Sequence, residues 1–304
     1  MKQVLFILLF LSFSFWTCFA QNNLSQETPG VNPMAPYPFQ FELKMSTVDS
    51  SNIRILYAMN ATDIENMETY DDLQRLEIGT HFSKYYSYFV FNNDSLASNW
   101  IQNNPNVNDE YRTVGWKGPM GKFQGWSEYI YSEYFKDFSK KELSEYTRMP
   151  VHLSDYDSKC SEPLPVQNWE ISDDTLTIVG YLCQRAACQF RGRNYTAWFA
   201  TDIPIGNGPW KFGGLPGLIL KVYDEDTQYV FECVGIENYK KKYPIQMHEA
   251  FKQFRKTDRR NHLKMKKEAQ ENYYRLLLTP NSQGEAIGFK YEEKLNPYNP
   301  MELE

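Results

Sequence analysis

Between Trp198 and Ile236 the chain carries a corner that few backbone paths can satisfy. Asn207-Gly208-Pro209 is followed by Phe212-Gly213-Gly214-Leu215-Pro216-Gly217. Proline holds its own φ near the value a turn needs, and glycine supplies positive φ. Leu218, Leu220 and Val222 then alternate with Ile219, Lys221 and Tyr223, Asp224-Glu225-Asp226-Thr227 interrupts, and Tyr229 to Val234 resumes the pattern. Period two on both sides of an acidic break predicts two strands joined by a turn. Upstream, Thr175 to Phe190 and Tyr195 to Thr201 read as strands around a turn at Arg191-Gly192-Arg193-Asn194. The block is therefore an antiparallel meander of strand, strand, proline-glycine corner, strand, strand.

The string Gly214-Leu215-Pro216-Gly217-Leu218-Ile219, preceded by Gly213, is similar to the signature that names the GLPGLI family of Bacteroidetes envelope proteins. The flanks agree with it: Gly180-Tyr181-Leu182-Cys183-Gln184-Arg185-Ala186, Phe190-Arg191-Gly192-Arg193, Ala197-Trp198-Phe199, Asp202-Ile203-Pro204-Ile205 and Gly208-Pro209-Trp210-Lys211-Phe212. The resemblance implies a secreted or outer-envelope protein of a family without an established activity, and it supplies no catalytic residues.

Met1-Lys2, an apolar run from Val4 to Phe15 and Cys18-Phe19-Ala20 before polar Gln21 read as a secretory signal peptide over residues 1–20, cut between Ala20 and Gln21. Trp16 and Thr17 are too large for a lipoprotein site at Cys18. Residues 21–40, with Pro29, Pro33, Pro36 and Pro38, are expected to form a disordered leader, and 41–304 a single β-rich domain. Cleavage would leave Cys160, Cys183, Cys188 and Cys233. In an oxidising compartment that even count predicts disulfides, in any of three connectivities, or buried thiols.

Along the remaining chain, Phe39 to Met45 and Ile53 to Met59 are strand-like, and Ile64, Met67, Leu73 and Leu76 have the spacing of a short helix. Phe82 to Phe91 reads as a strand and Asn92 to Lys122 as a polar region. Gly125 to Phe138 fits an aromatic strand or a helix face. Val166 to Ile171 opens a strand, with Ser172-Asp173-Asp174 as a turn. Tyrosine, with 22 copies, suits half-buried pleated surfaces and supports the strand assignments.

Charge is segregated. The whole chain carries -6, and loss of one Lys with the signal would make it -7. Residues 240–267 hold 11 Lys or Arg against 2 acids, a net of +9, so the rest of the mature chain would carry -16. A basic helical segment is expected over 244–278, docked at both ends, with peripheral contact to an anionic membrane through 240–267 as one use.

Reactive constellations are sparse. His248-Glu249 resembles the start of a zinc-protease helix, but Lys252 stands where the second His is needed, so His248 reads as a surface residue. His81, His152 and His262 have no ligand spacing, and no metal or cofactor is expected. There is no Gly-x-Ser-x-Gly elbow. Gly206-Asn207-Gly208 and Gly213-Gly214 lack the Lys-Ser/Thr ending of a phosphate loop. Arg191 and Arg193 would share a strand face with Tyr195, where they either grip a ligand carboxylate or phosphate or lock onto an acid such as Asp202. With Trp198 they are the ligand-binding candidates.

These features predict a mostly β fold: a curved antiparallel sheet or open half-barrel with a long basic C-terminal helix. The function expected is that of a non-enzymatic envelope protein, a binding or accessory component for a lipid, a peptide or an outer-membrane transporter. The alternatives are a hydrolase whose site is assembled from sequence-distant residues, and a structural interaction module. No nucleic-acid partner and no membrane span in the mature chain are expected.

Overall fold

The computed structural model describes residues 36, 44–103, 126–272 and 298–303. The expected signal segment over 1–20, with its expected cut between Ala20 and Gln21, and almost all of the expected leader lie outside them. Two meanders form one sheet. Strands β1 (Met45–Met59), β2 (Asp72–Gly79), β3 (Phe82–Ser87), β4 (Ser132–Asp137), β5 (Glu142–Thr147) and β6 (Ser158–Pro163) pair in sequence order. So do β7 (Glu170–Ile178), β8 (Tyr181–Phe190), β9 (Arg193–Ala200), β10 (Leu218–Asp224) and β11 (Val230–His248). The long antiparallel pairing of β1 with β11 joins the halves, and the short β12 (Arg255–Thr257) adds parallel to β6. Helix α1 (Tyr88–Asn103) follows β3, and α2 (Arg259–Glu271) follows β12. No described helix is long and apolar enough to cross a membrane.

Side-chain contacts prove that the sheet is strongly curved. In the order β12-β6-β5-β4-β3-β2-β1-β11-β10-β9-β8-β7, β6 and β8 are nine positions apart. At about 4.8 Å per strand a flat sheet would separate them by about 43 Å. Yet Arg191, just after β8, places Nη2 2.6 Å from the Glu162 carboxylate on β6. The sheet curls back on itself without closing, bridged there by charge rather than by strand pairing.

The proline-glycine corner bends as expected and also fills the interior of the curl. Gly214 takes φ +83, a value that L side chains resist, and Asn207 bridges to Gly213 across the bend. Trp210, Phe212 and Leu215 are buried against Phe190, Tyr195 and Trp169. Ile219, expected on the outer face of β10, is also buried, because the β9–β10 register slips between Ile219 and Lys221. Tyr57 Oη donates to the Ile219 carbonyl at 2.7 Å, tying β1 to the corner. Gly217 is needed for space: a Cβ there would lie 2.2 Å from the Ala200 carbonyl oxygen. Gly217→Ala is expected to cost about 1–3 kcal/mol through forced backbone movement. A denaturation midpoint equal to the wild type would show that the corner can shift.

Several sequence expectations are corrected. Ile64 to Leu76 forms a single 3-10 turn, Met67–Thr69, and then enters β2. Leu73 and Leu76, three apart, occupy opposite faces of that strand and join different apolar clusters. The strand over Phe82 to Phe91 stops at Ser87, whose Oγ accepts the Val90 N–H at 3.1 Å and starts α1. Ser172-Asp173-Asp174 is a bulge inside β7, and the turn lies at Val179-Gly180. The basic segment from 244 is not one helix. β11 continues to His248, and α2 begins only after Asp258, whose side chain accepts the Asn261 N–H. Residues 273–278 lie outside the described residues. Disulfides are also overturned, since Cys160, Cys183, Cys188 and Cys233 are all free and buried. Burial pushes their thiols up, to about 11 for Cys160 and Cys183 and about 12 for Cys188 and Cys233, so they act as small core residues.

Candidate functional site

The corner delivers one cation into the curl. Lys211, fixed between buried Trp210 and Phe212, places Nζ 3.1 Å from Glu145 on β5 and 3.1 Å from Glu162 on β6, and it also meets Glu302 near the C-terminus. Helix α2 brings a second layer. Lys266 Nζ pairs with Glu145 and stands 3.8 Å from Glu128, while Arg259 pairs with Glu302. Arg191 completes the ring from the β8–β9 turn, on Glu162. Burial works against the charged form of Glu145, but Lys211, Lys266 and His262 override it and hold this carboxyl well below the ordinary range. Glu302 is lowered in the same way against its burial, chiefly by Lys211. Burial disfavours the Lys211 ammonium, and the surrounding carboxylates reverse that and raise its pKa.

Next to this cluster three groups meet that the sequence does not connect. His262 Nδ1 lies 3.1 Å from Ser158 Oγ, and Nε2 lies 3.3 Å from Glu145 Oε1 and 3.2 Å from Thr147 Oγ1. Burial, with help from Lys266, lowers the pKa of His262 and favours the neutral ring. A neutral imidazole has one donor, so Nε2–H serves Glu145 while Nδ1 accepts from the Ser158 hydroxyl. This is the order of a nucleophile, a base and an orienting carboxylate. Ser158, however, is 0% exposed and His262 only 1%. No substrate reaches the hydroxyl here, and the trio fastens α2 to β5 and β6.

A second lysine holds the corner from the other side. Lys136 Nζ on β4 donates to Asn207 Oδ1 at 2.8 Å, to the Gly208 carbonyl at 3.3 Å and to the Phe212 carbonyl. Burial lowers its pKa to about 7, and the three acceptors match the three donors of the ammonium form.

The three sequence candidates do not converge. Arg193 is buried with Tyr195 on the inner face of β9, its Nη1 2.9 Å from Asp224 and its other nitrogens on Asn299 and the Pro300 carbonyl. It locks onto an acid, but the acid is Asp224 rather than Asp202. Arg191 sits in the turn with φ 51. Trp198 is half-buried on the opposite face of β9, paired in register with Arg185 and Lys221. His248 is not a surface residue. It is buried, with Nε2 3.4 Å from Glu133 Oε1. No cluster of metal-ligating side chains occurs among the described residues.

A groove of about 720 Å³ lies between α2, β12 and the 3-10 segment Val151–Tyr156. Met149, Leu153 and Ala269 form an apolar floor, half-buried Met265 flanks it, and Arg255, Lys256 and Lys264 stand exposed at the rim. The sequence hinted at this only as excess charge over 240–267. Which cations turn inward, Lys266 and Arg259, and which line the groove depends on the phase of α2.

A family model described as "Protein of unknown function (Porph_ging)" matches residues 191–221, from the β8–β9 turn through the corner into β10. The chain is similar to that family over this block. No curated protein matches. Two solved structures are similar in part, "Structure of PNGF-II in P21 space group" and "Structure of PNGF-II in C2 space group". Each is 12% identical, with TM-scores of 0.48 and 0.46, and each match covers 74% of this chain. The chain spans 34% of the length of those proteins.

Proposed function

We propose that this protein is an exported, non-enzymatic accessory component of the cell envelope that binds a ligand joining an apolar segment to an anionic group. The groove carries this reading. Its apolar floor would bury a hydrocarbon chain, and its three rim cations would meet a carboxylate or phosphate. Export is supported by the signal-like residues 1–20, and the GLPGLI resemblance points to the same compartment. The interior of the curled sheet is filled by Trp210, Phe212 and Leu215, so the groove rather than the inside of the sheet is the place for a ligand. A hydrolase is the weaker reading because Ser158 is sealed.

Titration of the purified protein with a fluorescent long-chain fatty acid tests the proposal. Lys256→Glu with Lys264→Glu is expected to weaken binding about tenfold, since each exposed charge contributes up to about 1 kcal/mol. Met265→Glu should weaken it through the apolar part. Unchanged affinity in both variants, or no saturable binding by the wild type, would remove the groove from consideration.

A further inference from the structure

The β1–β11 ladder contains an irregularity that the groove does not explain. Ile53 pairs with Asn238 and Ser51 pairs with Tyr243, so the single residue Asn52 on β1 faces four residues of β11, Tyr239, Lys240, Lys241 and Lys242. In a regular strand three consecutive lysines would alternate between the two faces. A three-residue excess instead pushes the segment out of the ladder. Asn238 to Lys242 are all exposed, and Tyr239 is 39% exposed despite its size. None of Lys240, Lys241 and Lys242 has an ion-pair partner among the described residues, in contrast to the cations of α2 that turn inward.

The protrusion has a built base. Tyr239 and Tyr243 meet edge to face with centroids 5.2 Å apart. The Arg54 guanidinium lies 3.5 Å above the Tyr243 ring and 5.4 Å from the Tyr239 ring, and its Nε is 2.9 Å from Glu77 on β2. Tyr243 Oη donates to the Ile53 carbonyl at 2.7 Å, and Pro244 follows it in the ladder. An aromatic pair is therefore held against the sheet, with Lys240, Lys241 and Lys242 between its members in the chain.

We infer that the Tyr239–Tyr243 protrusion docks this protein onto an anionic, phosphate-bearing lipid surface. Lysine stems reach phosphates while their charge stays hydrated, and a tyrosine ring suits the boundary between headgroup and acyl chain. Because the chain as a whole is acidic, at -6, such a surface repels most of the molecule and attracts this segment, which orients the contact. The inference does not depend on the groove or its ligand.

Sedimentation of the full chain with vesicles of phosphatidylcholine, with and without phosphatidylglycerol, tests it. The wild type should bind the anionic vesicles only, and rising salt should release it. The triple variant Lys240→Gln, Lys241→Gln, Lys242→Gln should lose on the order of a hundredfold in partitioning, about one exposed lysine's worth three times over. Tyr239→Ala should lose several-fold at every salt concentration, and free inorganic phosphate should compete no better than chloride at the same ionic strength. The paired groove variant, Lys256→Glu with Lys264→Glu, should bind vesicles as the wild type does. Equal binding to neutral and anionic vesicles, undiminished binding by the triple variant with its melting curve intact, or competition by free phosphate beyond that of chloride at the same ionic strength would each overturn the assignment. So would loss of binding in the groove variant alone.

Discussion

Replacing Lys211 with methionine is expected to destabilise the protein by about 3–5 kcal/mol, the usual consequence of removing one partner from a buried ionic network. The side chain is 3% exposed and stands among Glu145, Glu162 and Glu302. Methionine fills much of the same space, so the loss comes from carboxylates left buried without their shared counter-charge. On heating, the midpoint should fall on the order of 10 °C. The acid limb should respond as well. Glu145 and Glu302 have folded pKa values below their ordinary 4.5, so their contribution is present above that pH and disappears as pH falls through the folded values. Without Lys211 those folded values rise, and acid unfolding begins at higher pH. Adding Glu302→Gln to Lys211→Met should recover part of the loss, because one uncompensated charge is then absent. A wild-type melting curve for Lys211→Met would mean that water reaches the cluster.

Arg193→Ala should cost a comparable amount, about 3–5 kcal/mol, and should loosen residues 298–303 before the rest of the chain. Arg193 neutralises buried Asp224 and grips Asn299 and the Pro300 carbonyl, so one side chain joins β9, β10 and the C-terminal segment. Tyr195 Oη, which donates to the Met301 carbonyl at 3.2 Å, is a weaker second tie. Hydrogen exchange should show faster exchange in this segment under conditions where the β1–β11 ladder stays protected. Arg193→Lys should not restore protection, because an ammonium cannot reproduce the planar fork that reaches these partners together. Intact stability accompanied by loss of a bound ligand would return Arg193 to the ligand-binding role considered from the sequence.

Leu218 to Val222 and Val230 to Val234 read as strands because alternation is a local property. Leu73 and Leu76 misled because a spacing of three fits both a helix face and the two faces of a strand buried on each side. Ser87 was available as a helix cap but stands inside an aromatic run that resembles a strand throughout. His262, Ser158 and Glu145 carried no shared signal, since 104 residues separate Ser158 from His262. Lys211 lay in plain view in the motif block, yet nothing adjacent identified the carboxylates it meets.

The sequence by itself determined the meander, the proline-glycine corner and the predominance of strand, because backbone preference and period-two burial act over a few neighbouring residues. Tertiary structure decided which charges became interior, that the corner would fill the curl, that four cysteines would stay thiols, and that the basic run would split among a strand protrusion, a groove rim and a buried helix face. Those outcomes depend on how far β6 and β8 curl toward each other and on the rotational phase of α2. Both are set by packing between residues distant in sequence, 29 positions apart for Arg191 and Glu162 and 121 for Glu145 and Lys266, which no local pattern encodes.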